Sequence, residues 1–165
     1  KPTYTMACIT FDETLACPVS PHRMFHALFL DAHNLMPKIM PQAIKNVEFL
    51  SGDGGPGSVQ QVNFADGGPA KYVKNRLDSK DKDNFECKYT VIGCDAFGDK
   101  VDYIVNEVKF EAAPGGGSIC KTKSTYHPKA GVVLNEEEIK AGKEKSQGVY
   151  KFVENYLVEN PHVYA

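Results

Sequence analysis

The chain has 165 residues, 42% apolar and 24% charged, which excludes wholesale disorder and fits one domain with its own core. Nineteen Lys and Arg against 21 Asp and Glu give a formal charge of −2, so a broadly basic nucleic-acid footprint is not expected, which leaves a local basic patch open. No run approaches the ~18 apolar residues of a membrane span, and the amino end shows no long apolar signal core.

Lys1 to Thr5 precede Met6 and read as a leader, leaving residues 6–165 as a single domain. Cys8 to Leu15 is short and rich in strand formers, and reads as the first strand. Ser20-Pro21 then opens a helix, serine as cap and proline at the first helical position. Met24, Phe25, Leu28 and Phe29 recur at helical spacing up to Asp31. A second short helix runs through Leu35, Met36 and Ile39, limited by Pro37 and Pro41.

From Val47 the pattern changes. Val47–Leu50, Val59–Phe64, Ala70–Leu77, Phe85–Ile92, Val101–Glu111 and Ser118–Tyr126 are strand candidates. They are separated by Ser51–Gly57, Ala65–Pro69, Asp78–Asn84, Gly93–Asp99 and Ala112–Gly117, all rich in turn residues. Short breaks between short strands favour an antiparallel meander. In the last strand Cys120, Thr122, Ser124 and Tyr126 share one face, while Lys121 and Lys123 share the wetter one. The inner face is thus half polar, as a hollow interior requires.

Asn135 to about Val158 is the strongest helix pattern. Glu136, Glu137 and Glu138 occupy its first turn, where negative charge meets free amides. Ile139, Gly142, Ser146, Val149, Val153 and Leu157 form a stripe, flanked by Tyr150 and Tyr156. Gly142 and Ser146 bring little bulk, so a helix anchored at its greasy end can roof a cavity. Close packing against the sheet is the alternative.

The chemistry-bearing motifs are few. Gly52, Gly54, Gly55 and Gly57 resemble a phosphate loop, but no Gly-Lys-Ser/Thr follows. A rigid hairpin connection is the plainer reading, with an anion-binding nest of free amides as the alternative. Glu48, Glu107 and Asp31 are the acid–base candidates, none with a histidine partner in sequence. His127 lies at a strand end, and His22, His26 and His33 cluster near the first helices without a zinc-protease pattern. The cysteines at 8, 17, 87, 94 and 120 show no close pairing, which reads as reduced thiols in a cytoplasmic protein with neither metal nor cofactor. Tyr89, Tyr103, Tyr126 and Tyr150 are candidates to turn hydroxyls into an apolar cavity.

Several ungapped stretches carry a family resemblance. Asp31-Ala-His-Asn-Leu-Met-Pro-Lys-Ile-Met-Pro-Gln-Ala43 is followed by Val47-Glu48 and the Gly52–Gly57 loop. Gly116-Gly-Ser-Ile119, Lys121 leading to Tyr126-His127, and Glu154-Asn-Tyr-Leu157 follow in the same order. In these the chain resembles the plant class 10 pathogenesis-related proteins, the family of the major birch pollen allergen, from Ala7 onward.

The resemblance implies an α+β helix-grip fold. A seven-stranded antiparallel sheet curves around the long carboxyl-terminal helix, two short helices form a V beneath it, and a cavity lies inside. It also implies defence association, allergenicity, and a small hydrophobic or amphipathic partner such as a cytokinin, flavonoid or sterol-like metabolite. Ala27, Leu28, Ile44, Phe64, Tyr72, Cys87, Tyr89, Asn106, Val108, Cys120, Tyr126 and Ser146 are the implied cavity or mouth positions. Gly142 and Val149 join them from the helix stripe. The chain departs from its relatives at Gln60, where many carry lysine, at Cys87, where many carry tyrosine, and at Lys145, where an apolar residue is common. Cys87 predicts a wider, less polar pocket, and Lys145 a charge that reaches the mouth or an acidic ligand.

The expected function is a carrier for small plant metabolites. The alternative is an enzyme of the same fold, either a ribonuclease working through Glu107 and Tyr126 with RNA as a weak substrate, or a pocket-based biosynthetic enzyme. Strand alternation turns Lys121 away from Tyr126, so Lys121 is not expected to act as a base. A defence or signalling role without a ligand is the third reading. A monomer is expected, with an edge strand leaving room for a dimer.

Overall fold

The computed structural model describes residues 8–68, 70–97 and 100–165. The leader expected at residues 1–5, and the separator positions Pro69, Gly98 and Asp99, lie outside the described residues.

Strand β1 (Ile9–Cys17) is followed by α1 (Pro21–Phe25), a wider π-type turn (His26–Leu30) and α2 (Ala32–Ile39). Strands β2 (Ile44–Ser51), β3 (Val59–Phe64), β4 (Tyr72–Asp81), β5 (Glu86–Cys94), β6 (Val101–Ala112) and β7 (Ser118–Pro128) form the meander, and α3 (Glu136–Glu159) closes the chain. The seven strands make one antiparallel sheet in the order β1-β7-β6-β5-β4-β3-β2. The β1–β2 connection therefore crosses the full width of the sheet, and α1 and α2 make that crossing. This is the helix-grip α+β fold.

Local chemistry explains most boundaries. Pro21 opens α1, but the Ser20 side chain caps nothing; only its carbonyl accepts, from the Met24 amide at 3.1 Å. The expected single helix to Asp31 widens midway, where the Asp31 amide reaches back five residues to the His26 carbonyl at 2.9 Å. Pro37 lies inside α2, and Pro41 follows soon after its end. Asn135 Oδ1 accepts the Glu137 amide at 2.9 Å, and Glu136 to Glu138 fill the first turn of α3.

Two glycines are fixed by close approach. A Cβ at Gly117 (φ +79°) would lie 2.3 Å from the Cys17 carbonyl, and one at Gly52 (φ +79°) 2.2 Å from Ser58 Oγ.

The core divides in two. The larger cluster joins α1, α2 and the carboxyl-terminal half of α3 to the sheet through Met24, Phe25, Leu35, Phe110, Val153 and Leu157. The smaller one, Val91, Ile104, Tyr126 and Ile139, holds the amino-terminal end of α3. Arg23 fastens the other end of α3: its guanidinium donates to the carbonyls of Leu157, Asn160 and Val163, each at 2.9 Å. The bonds to Leu157 and Asn160 satisfy acceptors that a helix end otherwise leaves to water, and the one to Val163 ties down the turn that follows. Among the described residues, no helix is long and apolar enough to cross a membrane.

Candidate functional site

The concave face of the sheet is set by strand alternation. Ile9, Phe11, Glu13 and Leu15 of β1 face α3, while Thr10, Asp12 and Thr14 are exposed. On β7 the inner set is Ser118, Cys120, Thr122, Ser124 and Tyr126, on β6 Ile104, Asn106, Val108 and Phe110, and on β5 Cys87, Tyr89 and Val91. Val62 pairs with Val73 on this side.

Helix α3 meets this face unevenly. At about 100° per residue, Ile139, Ser146, Tyr150, Val153 and Leu157 fall on one stripe. Ile139, Val153 and Leu157 are buried, yet Ser146 between them is exposed, as is its neighbour Gly142. A Cβ added at Gly142 would meet nothing within 4 Å. The helix is thus held by apolar contacts at both ends, while in its middle Gly142 and Ser146 stay open to solvent. Leu28, Phe64, Tyr89, Val108 and Val149 border the apolar core and remain half-buried, while Ala27, Ile44, Cys87 and Cys120 are buried within it.

A polar belt links the middle of α3 to the sheet. Lys143 reaches from α3 to Glu13 Oε1 and Ser124 Oγ, both at 3.2 Å, with Nζ 5.9 Å from the Phe11 ring centroid. Gln147 donates to Glu13 Oε2 at 2.7 Å, and Ser124 donates to Asn106 Oδ1 at 2.7 Å. Above the belt Tyr126 meets Phe11 edge to face. Burial, then the Glu13 charge, pushes the Tyr126 phenol up to about 12, so it stays a neutral hydroxyl. Burial likewise pushes the Cys87 and Cys120 thiols up to about 12, leaving them protonated and unreactive.

Several expected positions lie elsewhere. Tyr72 pairs with Asn63 one step from the Val62–Val73 pair, so it faces outward, and Lys74 sits over its ring at 5.6 Å. Tyr103 also faces outward and stacks on His127 at 4.1 Å. Glu107 is exposed on the outer face between Lys88 and Lys123, opposite to Tyr126, so the two do not meet. Lys121 pairs with Glu111 at 2.9 Å on that outer face. Lys145 is exposed on the far side of α3; the lysine that reaches the concave face is Lys143.

The glycine loop offers no nest at these positions. The amides of Gly54, Gly55, Gly57 and Ser58 donate to Ser58 Oγ, Asp53 Oδ1, the Leu77 carbonyl and the Gly55 carbonyl, and Lys80 holds the Gly54 carbonyl at 2.9 Å. His22 and His26 are engaged with Tyr164, by a 2.6 Å contact to its carbonyl and by ring stacking at 4.2 Å. Two surface depressions lie apart from the belt. One of about 470 Å³ is at the β2–β3 edge around Asn46, Glu48 and Asn63. The other, about 290 Å³, lies between α2 and the carboxyl-terminal turn.

Glu13, Lys143 and Gln147 are site residues that sequence reasoning missed. The signal was their phase: Glu13 alternates with Phe11 and Leu15, and Lys143 follows Ile139 by four residues.

The profile of the pathogenesis-related protein Bet v 1 family matches residues 6–160. The chain is 45% identical over 159 residues to the major strawberry allergen Fra a 1.08 of Fragaria ananassa, covering 96% of this chain and 99% of that one. It superposes on the crystal structure of Ara h 8.0201 with a TM-score of 0.83 at 34% identity, covering 93% and 99% of the two chains. It shares its fold with norcoclaurine synthase from Thalictrum flavum, solved in complex with dopamine and hydroxybenzaldehyde, at TM-score 0.70 and 17% identity over 93% and 88% of the chains.

Proposed function

The chain belongs to the pathogenesis-related protein Bet v 1 family, and on that premise we propose that it carries a small amphipathic plant metabolite between the concave face and the middle of α3. The observation that supports this most directly is Ser146, exposed on a stripe whose other turns, at Ile139, Val153 and Leu157, are buried. Half-buried apolar walls supply affinity by losing contact with water, and a few polar groups orient the guest. Leu28, Phe64, Tyr89, Val108, Tyr126 and Val149 form those walls, with Asn106 as an orienting amide and Gly142 and Ser146 at the mouth. Ala27, Ile44, Cys87 and Cys120 back the walls from within the core.

The protein works as a cytoplasmic monomer linked to defence, with cytokinins, flavonoids and sterol-like compounds as its ligand classes. Allergenic behaviour, named for its relatives, is proposed for it too. Catalysis is the weaker reading: Glu107 and Lys121 lie on the outer face, and the carboxylate and amine that do meet on the concave one, Glu13 and Lys143, are held to each other at 3.2 Å.

Titration with an uncharged fluorescent naphthylamine, followed by competition with members of each ligand class, tests the proposal. Saturable binding displaced by at least one class is expected. An absence of saturable binding across all of them overturns it.

A further inference from the structure

The belt under α3 is charged yet neutral in sum. The Lys143 and Glu13 side chains are only 13% and 23% exposed, and their charged atoms lie 3.2 Å apart. Both have lost most of their water, so each depends on the other and on its remaining hydrogen bonds. Lys143 uses two of its three donors, on Glu13 and Ser124. Asn106 accepts from Ser124, and its own Nδ2 donors have no partner among the described residues. The belt therefore presents unused donors beside a carboxylate, with apolar clusters on either side of it along α3.

From this arrangement we infer that the pocket selects ligands whose buried polar end is uncharged and combines an acceptor with a donor, such as a phenol, hydroxyketone or amide, over ligands ending in a carboxylate or sulfonate. The inference rests on the carrier reading and narrows it. An acceptor takes the free proton of Lys143 or the Asn106 amide, while a donor adds to Glu13. An anionic end that reaches Lys143 also lies beside Glu13, whose carboxylate is 3.2 Å from the ammonium, so repulsion offsets much of the attraction while the desolvation cost stays. The charge balance is thus the specificity element, and Glu13 is the residue that rejects anions.

Two probes of one shape test this: uncharged N-phenyl-1-naphthylamine and anionic 8-anilinonaphthalene-1-sulfonate. The readout is the ratio of their Kd values in the full chain. Glu13→Gln leaves Lys143 unmatched, and the anionic probe is expected to gain about tenfold against the neutral one. Lys143→Met leaves Glu13 unmatched, and the anionic probe is expected to lose about tenfold. The double variant Glu13→Gln/Lys143→Met removes both buried charges and returns the ratio to near that of the parent chain. It supplies the decisive comparison if either single variant fails to fold. Saturable binding of both probes with an unchanged ratio in the variants overturns the inference and leaves the carrier reading standing. A double variant that folds but binds the anionic probe tenfold more tightly than the parent, relative to the neutral one, also overturns it. No saturable binding of either probe to the parent chain overturns both.

Discussion

The two halves of α3 are built to different ends. From Val149 to Leu157 the helix lies against a continuous apolar cluster, with Val153 and Leu157 fully buried and Arg23 closing the last turn. From Ile139 to Ser146 one apolar contact, Ile139, holds the helix down, and the rest is a polar belt and an exposed stretch. One continuous helix thus divides its labour by what it faces. The dense half carries stability, and the sparse half keeps a surface that a guest can cover. Substitutions along α3 should therefore act on stability mainly through the dense half.

Alkaline pH gives the largest effect. Burial raises the Cys87 and Cys120 thiols from 9.0 to about 12, and Tyr126 from 10.0 to about 12. Folding then favours the protonated forms. Their contribution is fully present below the unfolded values and is lost as pH rises from about 9 toward 12. Urea midpoints measured from pH 7 to 11 should fall steadily above pH 9. A Cys87→Ala/Cys120→Ala chain should show a shallower fall over the same range. Equal slopes in the two proteins would place the alkaline sensitivity elsewhere.

Next in size is Leu157→Ala, which opens a cavity in the dense half and is expected to cost about 3 kcal/mol in urea unfolding followed by circular dichroism. Arg23→Ala follows at about 2 kcal/mol, since three carbonyls lose a charged donor. Arg23→Lys should recover little of this, because a single ammonium cannot span the three acceptors of the fork. A loss below 0.5 kcal/mol for Arg23→Ala would show that the helix end is held without its clamp.

The same division explains what could be read from the sequence. Alternation located β3 without error and β7 to within two residues, and the acidic first turn marked the start of α3. Apolar period alone drew the helix stripe correctly at Ile139, Val153 and Leu157. It is blind where the buried residues are charged: Glu13 and Lys143 sit in phase with apolar neighbours but carry no apolar signal of their own. It also failed where the ladder bulges. In β4 the register shifts between Lys74 and Asn75 and again between Leu77 and Ser79, carrying the strand four residues past its expected end. Tyr72 is instructive: the family resemblance turns it in, whereas its pairing with Asn63, one step from Val62–Val73, turns it outward.

Ser146 gives the smallest stability effect and the most direct test of the sparse half. Placing a large side chain on a packed stripe forces neighbours off their rotamers and costs roughly 1–3 kcal/mol. Ser146 is exposed on a stripe that faces the sheet, and its hydroxyl bonds back to the Gly142 carbonyl at 3.3 Å. Ser146→Phe should therefore shift unfolding by less than about 0.5 kcal/mol, the range of ordinary surface changes. The phenyl ring should at the same time take up space that a guest needs, weakening the naphthylamine probe at least fivefold in titration. A loss of stability as large as that of Leu157→Ala would mean that the middle of α3 is packed like its end. Unchanged probe affinity with unchanged stability would mean that guests enter by another side of the sheet, and the division between the two halves would then mark a difference in packing alone.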